Sequence, residues 1–153
     1  AAELTARLFR LGAELLVDTW PEWEAGRIRA TPQDEREATS TRLYTKGDGE
    51  LDWALQASDL GRRLLAFDTW PRCYTRWKGK EIHILRGVAL EEVSMGEPGD
   101  VVPGSGVAGV SMAVVTGQGM LGLLRLQLEG RRPQSAQEFL RGYRDFVGSR
   151  LPS

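Results

Sequence analysis

CYTRWKGKEIHILRGVAL, residues 73–90, is the stretch in which the spacing of apolar residues changes from a helical period of 3.6 to a strand period of 2. Lys78-Gly79 interrupts the alternation, and a glycine-containing pair between two alternating runs is typical of a β-hairpin. The stretch therefore predicts two short strands joined by a tight turn.

The chain after this hairpin continues with strand patterns and ends in a helix. GEPGDVV (96–102) is a turn leading into a strand, and GVSMAVVTGQGMLGLLRLQL (109–128) gives two more strands around Thr116–Gly119. A helix is predicted from about Ser135 to Phe146, because Ser135 and Glu138 have the spacing of a capping box. About five short strands with glycine-rich turns predict a mainly β domain, an open Greek-key (OB-like) barrel with flanking helices.

The chain before the hairpin predicts two further helices and a linker. Leu4, Leu8, Leu11 and Leu15 fall on one face of a helix over 3–20, which Pro21 is expected to end. A lone helix of this length needs a surface to cover its apolar stripe. Residues 22–50 are rich in charge, proline and glycine and predict a linker. The expected domains are therefore 1–21, 22–50 and 51–153.

The second helix is predicted in DWALQASDLGRRLLAF (52–67), within the third of these domains. Leu60 and Leu64 belong to its apolar face, and Ser58 is a candidate N-cap. We expect this helix to stop at Thr69–Pro71, just before the hairpin.

The composition excludes several classes of protein. The 153 residues contain one cysteine, so an internal disulfide framework is excluded and a reducing, cytoplasmic setting is favoured. No apolar run approaches the length of a membrane span, and the first residues do not resemble a signal peptide. Residues 1–60 hold seven basic and twelve acidic residues, whereas residues 61–153 hold thirteen basic and nine acidic residues. A basic second part favours a polyanionic partner, and ordinary surface charge is the alternative.

Residues that could perform catalysis or bind a metal are scarce. His83 alternates with buried positions of a strand and is interpreted as structural, and Cys73 with His83 cannot supply the roughly four ligands of a zinc site. No phosphate-binding loop or nucleophile with an activating base is present in the sequence. We therefore expect no catalytic residue, metal site or cofactor site in this chain.

Cations lie beside aromatic residues, an arrangement that proteins use to hold RNA. The segment WPRCYTRWKGK (70–80) interleaves the two classes, and further arginines precede it and follow the last strand. The alternative is that the tryptophans belong to the core and the lysines are ordinary turn residues. The predicted RNA-binding residues are Arg62, Arg72, Arg76, Lys78, Lys80, Arg125, Arg131 and Arg132.

The stretch LQLEGRRPQSAQEFLRG (126–142) resembles the end of the methionyl-tRNA formyltransferase family, in which a strand, a basic turn and a Ser-Ala helix follow one another. Further segments of this chain resemble segments of the family, and they occur in the same order along the chain as in the family. They are the first helix, GRIRATPQDEREAT (26–39), which resembles the family's interdomain linker, LDW (51–53), RLLAFDTWP (63–71), GEPGDVV (96–102) and VVTGQG (114–119). Arg72 departs from the family, which usually has glycine there, and Leu65 stands in place of a usual arginine.

The resemblance implies an enzyme that formylates the amino group of methionyl initiator tRNA, with 10-formyltetrahydrofolate as donor. Its catalytic residues lie in an N-terminal Rossmann-like domain, of which this chain would hold only the last helix, residues 1–21. The implied partners are initiator methionyl-tRNA, which the basic face of the barrel would contact, and the chain's own catalytic domain. This portion alone would carry neither the activity nor a cofactor.

Two alternatives remain open on the sequence. The barrel could be a structural module of another formyltransferase, or of a formyltetrahydrofolate hydrolase or dehydrogenase. The chain could also be a stand-alone interaction domain that dimerises through the apolar stripe of its first helix.

Overall fold

The computed structural model describes residues 2–92, 95–104, 106–107 and 109–152. The chain divides into two compact units, residues 1–44 and residues 45–153. The second unit therefore begins within the segment that the sequence assigned to the linker.

The first unit contains one long helix, α1 (Ala2–Glu24). The prediction that Pro21 ends it is wrong, because the carbonyl oxygen of Pro21 accepts a helical hydrogen bond from the Ala25 N–H at 3.0 Å. The helix ends instead at Gly26, whose φ of +71° is a left-handed conformation that glycine adopts without strain. The N–H groups of Gly26 and Arg27 donate to the carbonyls of Trp23 and Glu22, which is a Schellman ending. A short 3₁₀ turn at Glu35–Glu37 follows.

The second unit is built on one antiparallel sheet with the order β1-β2-β5-β4-β3, and β6 pairs with β5 beyond the end of β4. Two helices flank the sheet, as predicted for a mainly β domain. The two-residue strand β6 was not expected from the sequence. The elements are α2 (Ala57–Ala66), β1 (Tyr74–Trp77), β2 (Lys80–Leu90), β3 (Val101–Pro103), β4 (Met112–Val115), β5 (Met120–Leu128), β6 (Gln134–Ser135) and α3 (Ala136–Gly142).

The hairpin that the sequence predicted around Lys78-Gly79 joins β1 to β2. Both turn residues have positive φ angles, +50° and +72°, as the two central positions of a type I′ turn require. Trp77 pairs with Lys80 across this turn, and Tyr74 pairs with His83. The second predicted hairpin, with its turn at Thr116–Gly119, joins β4 to β5.

The two helices of this unit begin in different ways. Ser135 and Glu138 form the predicted capping box at the start of α3, with the Glu138 N–H 3.2 Å from the Ser135 hydroxyl. The predicted N-cap of α2, Ser58, is wrong, because the helix starts at Ala57. The Ala57 N–H donates to the carbonyl of Gln118 at 2.9 Å, so a contact with the β4–β5 turn replaces the side-chain cap.

The core lies between the inner face of the sheet and the two helices. Its aromatic part packs where β1 meets α3 and the 3₁₀ turn Arg144–Phe146. Trp77 makes edge-to-face contacts with Phe139, Tyr143 and Phe146, at ring-centroid distances of 5.2–6.2 Å. Among the described helices, none combines the length and apolar composition that a bilayer-spanning segment needs.

Candidate nucleic-acid interface

Three of the eight predicted RNA-binding cations are engaged with carboxylates. Arg62 pairs with Asp59 on α2, and Lys78 pairs with Asp145. Arg76 pairs with Glu50 at 2.7 Å. Because a carboxylate already neutralises each of them, these three offer less to a phosphate group than an unpaired cation does.

The other five are exposed, and their side chains make no ion pair or side-chain hydrogen bond with any residue that the structure describes. Exposed cations without a carboxylate are available to an anionic ligand. The five are Arg72, Lys80, Arg125, Arg131 and Arg132.

Three of these unpaired cations meet at one end of the β2–β5 ladder. Ile82 pairs with Leu128, so the residues that follow β5 lie beside the start of β2, where Lys80 stands. Arg131 lines a shallow pocket of about 300 Å³ together with Lys80, and a second pocket of about 520 Å³ together with Arg132. We call these two adjoining pockets the turn groove.

Local hydrogen bonds hold the basic turn of this groove in place. Gly130 has a φ of +72°, which allows the chain to reverse after β5. The Arg131 N–H donates to the carbonyl of Leu128 at 2.9 Å, and the Gln127 side chain donates to the Arg131 carbonyl at 2.8 Å. The Arg131 side chain therefore extends from a backbone that is hydrogen-bonded on both its N–H and its carbonyl, and Arg132 follows directly after it.

An aromatic ring borders the turn groove as well. Tyr143 lines both pockets and is half-buried. Its ring packs on Phe139 and Trp77, with centroid distances of 4.6 and 5.6 Å. Cations next to an aromatic ring suit a nucleic-acid backbone and its bases.

Arg72 does not line the turn groove, and its backbone is unusual. Its φ is +65°, a left-handed conformation that costs a residue other than glycine about 1–2 kcal/mol. The structure thus explains why glycine suits this position. Arg62 on α2 and Arg125 within β5 also lie outside the groove lining, so the groove brings together only some of the eight predicted residues.

The outer face of β1 and β2 carries a separate group of charges. Lys46 donates a hydrogen bond to Glu81 that lowers the pKa of this carboxyl group. His83 is half-buried, burial lowers its pKa, and its Nδ1 makes no hydrogen bond with a described residue. The structural role of His83 stays a prediction.

Cys73 is the single cysteine of the sequence, and it is buried. Burial raises the pKa of the Cys73 thiol to about 11, so it remains protonated and unreactive at neutral pH. Among the described side chains, no three His, Cys, Asp or Glu groups are placed to share a metal ion.

Arg86 and Tyr143 are not among the residues predicted from the sequence. Arg86 lies directly opposite Arg125 across β2 and β5, a relation that depends on a register between segments 39 residues apart in the chain. The position of Tyr143 beside the basic turn follows from the fold of α3 onto β1. The alternating pattern of 80–90 is the one sequence signal that places Arg86 on a strand.

The sequence profile of the family described as "Formyl transferase, C-terminal domain" matches residues 44–144. The chain is 39% identical over 142 residues to the methionyl-tRNA formyltransferase of Chloroflexus aurantiacus, covering 93% of this chain and 45% of that protein. It is 37% identical to the Roseiflexus sp. enzyme of the same name, and the match covers 97% of this chain and 45% of that protein. The chain thus spans less than half the length of these curated relatives.

The solved structures add a likeness of fold. HypX from Aquifex aeolicus superposes with a TM-score of 0.63 at 19% sequence identity, covering 88% of this chain and 23% of that protein. This likeness concerns the fold alone, whereas the family profile and the relatives at 37–39% identity cover most of the chain. On these matches, the chain belongs to the formyltransferase C-terminal domain family.

Proposed function

We propose that this chain is the C-terminal, tRNA-binding portion of a methionyl-tRNA formyltransferase. The parent enzyme would transfer a formyl group from 10-formyltetrahydrofolate to initiator methionyl-tRNA in the cytoplasm. The observation that carries the proposal is the turn groove, which Lys80, Arg131 and Arg132 line without an ion pair to any described carboxylate. Glu129 and Asp145 also line its first pocket, and Asp145 is paired with Lys78. This portion alone would bind tRNA and would not catalyse formyl transfer.

The charge arrangement supports RNA as the ligand of the groove. Unpaired arginines bind phosphate oxygens through paired N–H donors, and each phosphate contact releases counterions from the RNA. The sheet, with its flanking helices, would act as an open OB-like barrel that presents the groove. Barrels of this kind bind nucleic acids with cations and aromatic rings.

The helix α1 would be the last helix of the parent's catalytic domain, and the segment after Gly26 would be the interdomain linker. Two observations support this proposal. The apolar side chains Leu4, Leu8, Leu11 and Leu15 are 57–61% exposed, and the relatives are about twice as long as this chain. The catalytic domain would cover this stripe. Sedimentation of the chain distinguishes this arrangement from a dimer formed through the same face.

Neutralising the basic turn tests the proposal. The double variant R131Q/R132Q should bind initiator tRNA about tenfold more weakly near 0.1 M salt, because two phosphate contacts are lost. Its plot of log affinity against log salt concentration should be shallower by about one unit per lost contact. Fluorescence anisotropy with labelled tRNA measures both quantities.

The matched control is R36Q/R150Q, which removes the same charge from two arginines already paired with Asp34 and Asp100. We expect this control to bind nearly as the wild type does. Equal weakening in both double variants would mean that only net charge matters, and unchanged binding of R131Q/R132Q would favour the structural-module alternative.

A further inference from the structure

Two arginines are paired in the register between β2 and β5. Arg86 and Arg125 are the partners, at a point where the register of the ladder shifts. Like charges at directly opposed positions of a sheet destabilise the pairing. The free domain therefore carries an electrostatic cost at this point, and a bound anion would remove it.

No residue in the described part of the chain compensates this pair. Both side chains are exposed, and neither makes an ion pair or a side-chain hydrogen bond with a described residue. Among the other cations on the strands, Arg76 is paired with Glu50, whereas Lys80 makes no ion pair with a described residue. The arginine pair therefore resembles Lys80 rather than Arg76.

The sheet is irregular at the same position. The register between β2 and β5 shifts on both sides of Arg86, from Ile84 to Arg86 and again from Arg86 to Gly87. A bulge of this kind bends a strand and redirects the side chains at the irregularity. The regular ladder resumes at Gly87, which pairs with Leu123.

We propose that Arg86 and Arg125 form a second phosphate-binding site, which holds the sugar-phosphate backbone of the RNA that occupies the turn groove. This inference rests on the proposed function and extends it to residues that the sequence did not bring together. Two guanidinium groups offer paired N–H donors to the non-bridging oxygens of one phosphate or of two neighbouring phosphates. The phosphate replaces the missing carboxylate and offsets the repulsion.

The position of the pair suits one continuous ligand. Arg86 follows Lys80 by six residues along β2, and at about 3.3 Å per strand residue the two positions lie about 20 Å apart. An RNA strand lying along β2 would contact the turn groove at one end and the arginine pair at the other. Phosphate contacts at two separated places fix the orientation of the RNA on the protein.

If the arginine pair binds phosphate, substitution of Arg86 should raise the stability of the free chain and weaken its binding to tRNA. A residue with a purely structural role would not produce this combination. R86E places a carboxylate opposite Arg125 and should raise the melting temperature of the free chain by about 2–4 °C. The same variant should bind initiator tRNA about fivefold to tenfold more weakly, with a salt slope lower by about one unit.

The experiment compares wild type, R86E, R86Q and R125Q, with circular dichroism to establish folding. Calorimetry gives the melting temperature, and anisotropy with an initiator tRNA transcript gives the affinity at several salt concentrations. R150Q is the control, because it removes one charge from an arginine paired with Asp100. We expect R86Q and R125Q to weaken binding and R150Q to leave it nearly unchanged.

Three outcomes bear on the arginine pair and on the proposed function. If the wild type binds tRNA and the Arg86 and Arg125 variants bind equally well, the arginine pair is not a phosphate site, although the proposed function stands. If R150Q weakens binding as much as R86Q does, the effect is one of net charge and the site is overturned. If the wild type itself does not bind, both proposals fail together.

Discussion

The variant W77A is expected to lose about 3–5 kcal/mol of unfolding free energy in the second unit. Trp77 is only 4% exposed and packs against three aromatic rings, those of Phe139, Tyr143 and Phe146. Truncation to alanine would leave a cavity where β1, α3 and the following 3₁₀ turn meet. Since small domains are stable by only about 5–15 kcal/mol, this loss would remove much of the stability.

Urea denaturation followed by far-UV circular dichroism measures this effect. The control is W20A, because Trp20 lies in α1 of the first unit and is 55% exposed. We expect the control to leave the unfolding transition of the second unit unchanged. A loss below about 1 kcal/mol for W77A would contradict the packing described for the aromatic cluster.

The second large effect is expected from G117A, which should destabilise the second unit by about 3 kcal/mol or more. A Cβ atom on Gly117 would stand 1.9 Å from the carbonyl oxygen of Ala54 and 2.8 Å from its carbonyl carbon. Both atoms belong to the backbone, so a side-chain rotation cannot relieve the clash. The Gly117 N–H also donates to the carbonyls of Trp53 and Leu55 at 2.9 Å, and the displacement would break these bonds.

The matched control is G142A, at the last residue of α3. A Cβ atom there meets nothing within 4 Å, and alanine favours a helix over glycine by about 0.5–1 kcal/mol. The same denaturation experiment should therefore show G142A at or slightly above the wild-type stability. If G117A were as stable as G142A, the close contact between the β4–β5 turn and the segment before α2 would be wrong.

Local signals in the sequence predicted the elements of the second unit well. The Lys78-Gly79 turn and the Ser135–Glu138 capping box each depend on residues within four positions of one another, so the sequence shows them directly. The sequence failed where a contact from elsewhere in the chain decides the local structure. The start of α2 is one example, because Gln118 satisfies the Ala57 N–H from a turn more than 60 residues away.

The candidate site was predicted only in part, because some of its residues are neighbours in the chain and others are brought together by contacts between distant segments. Arg131 and Arg132 are neighbours in the chain, and their basic turn is visible in the sequence. The register that brings Lys80 to them, and Arg86 to Arg125, joins distant segments and becomes known only with the structure. The sequence also shows no ion pairs, so it could not separate the neutralised Arg62, Arg76 and Lys78 from the unpaired cations.

If the second unit presents unpaired cations to tRNA, as proposed, the affinity of the chain for tRNA must fall as the salt concentration rises. The measurement is anisotropy of labelled initiator tRNA with the wild-type chain, at salt concentrations from about 50 to 200 mM. The turn groove and the arginine pair together predict three to five phosphate contacts, hence a slope of log affinity against log salt of about −2 to −4. Absence of binding at the lowest salt concentration, or an affinity independent of salt, would rule out the proposed role of these cations in tRNA binding.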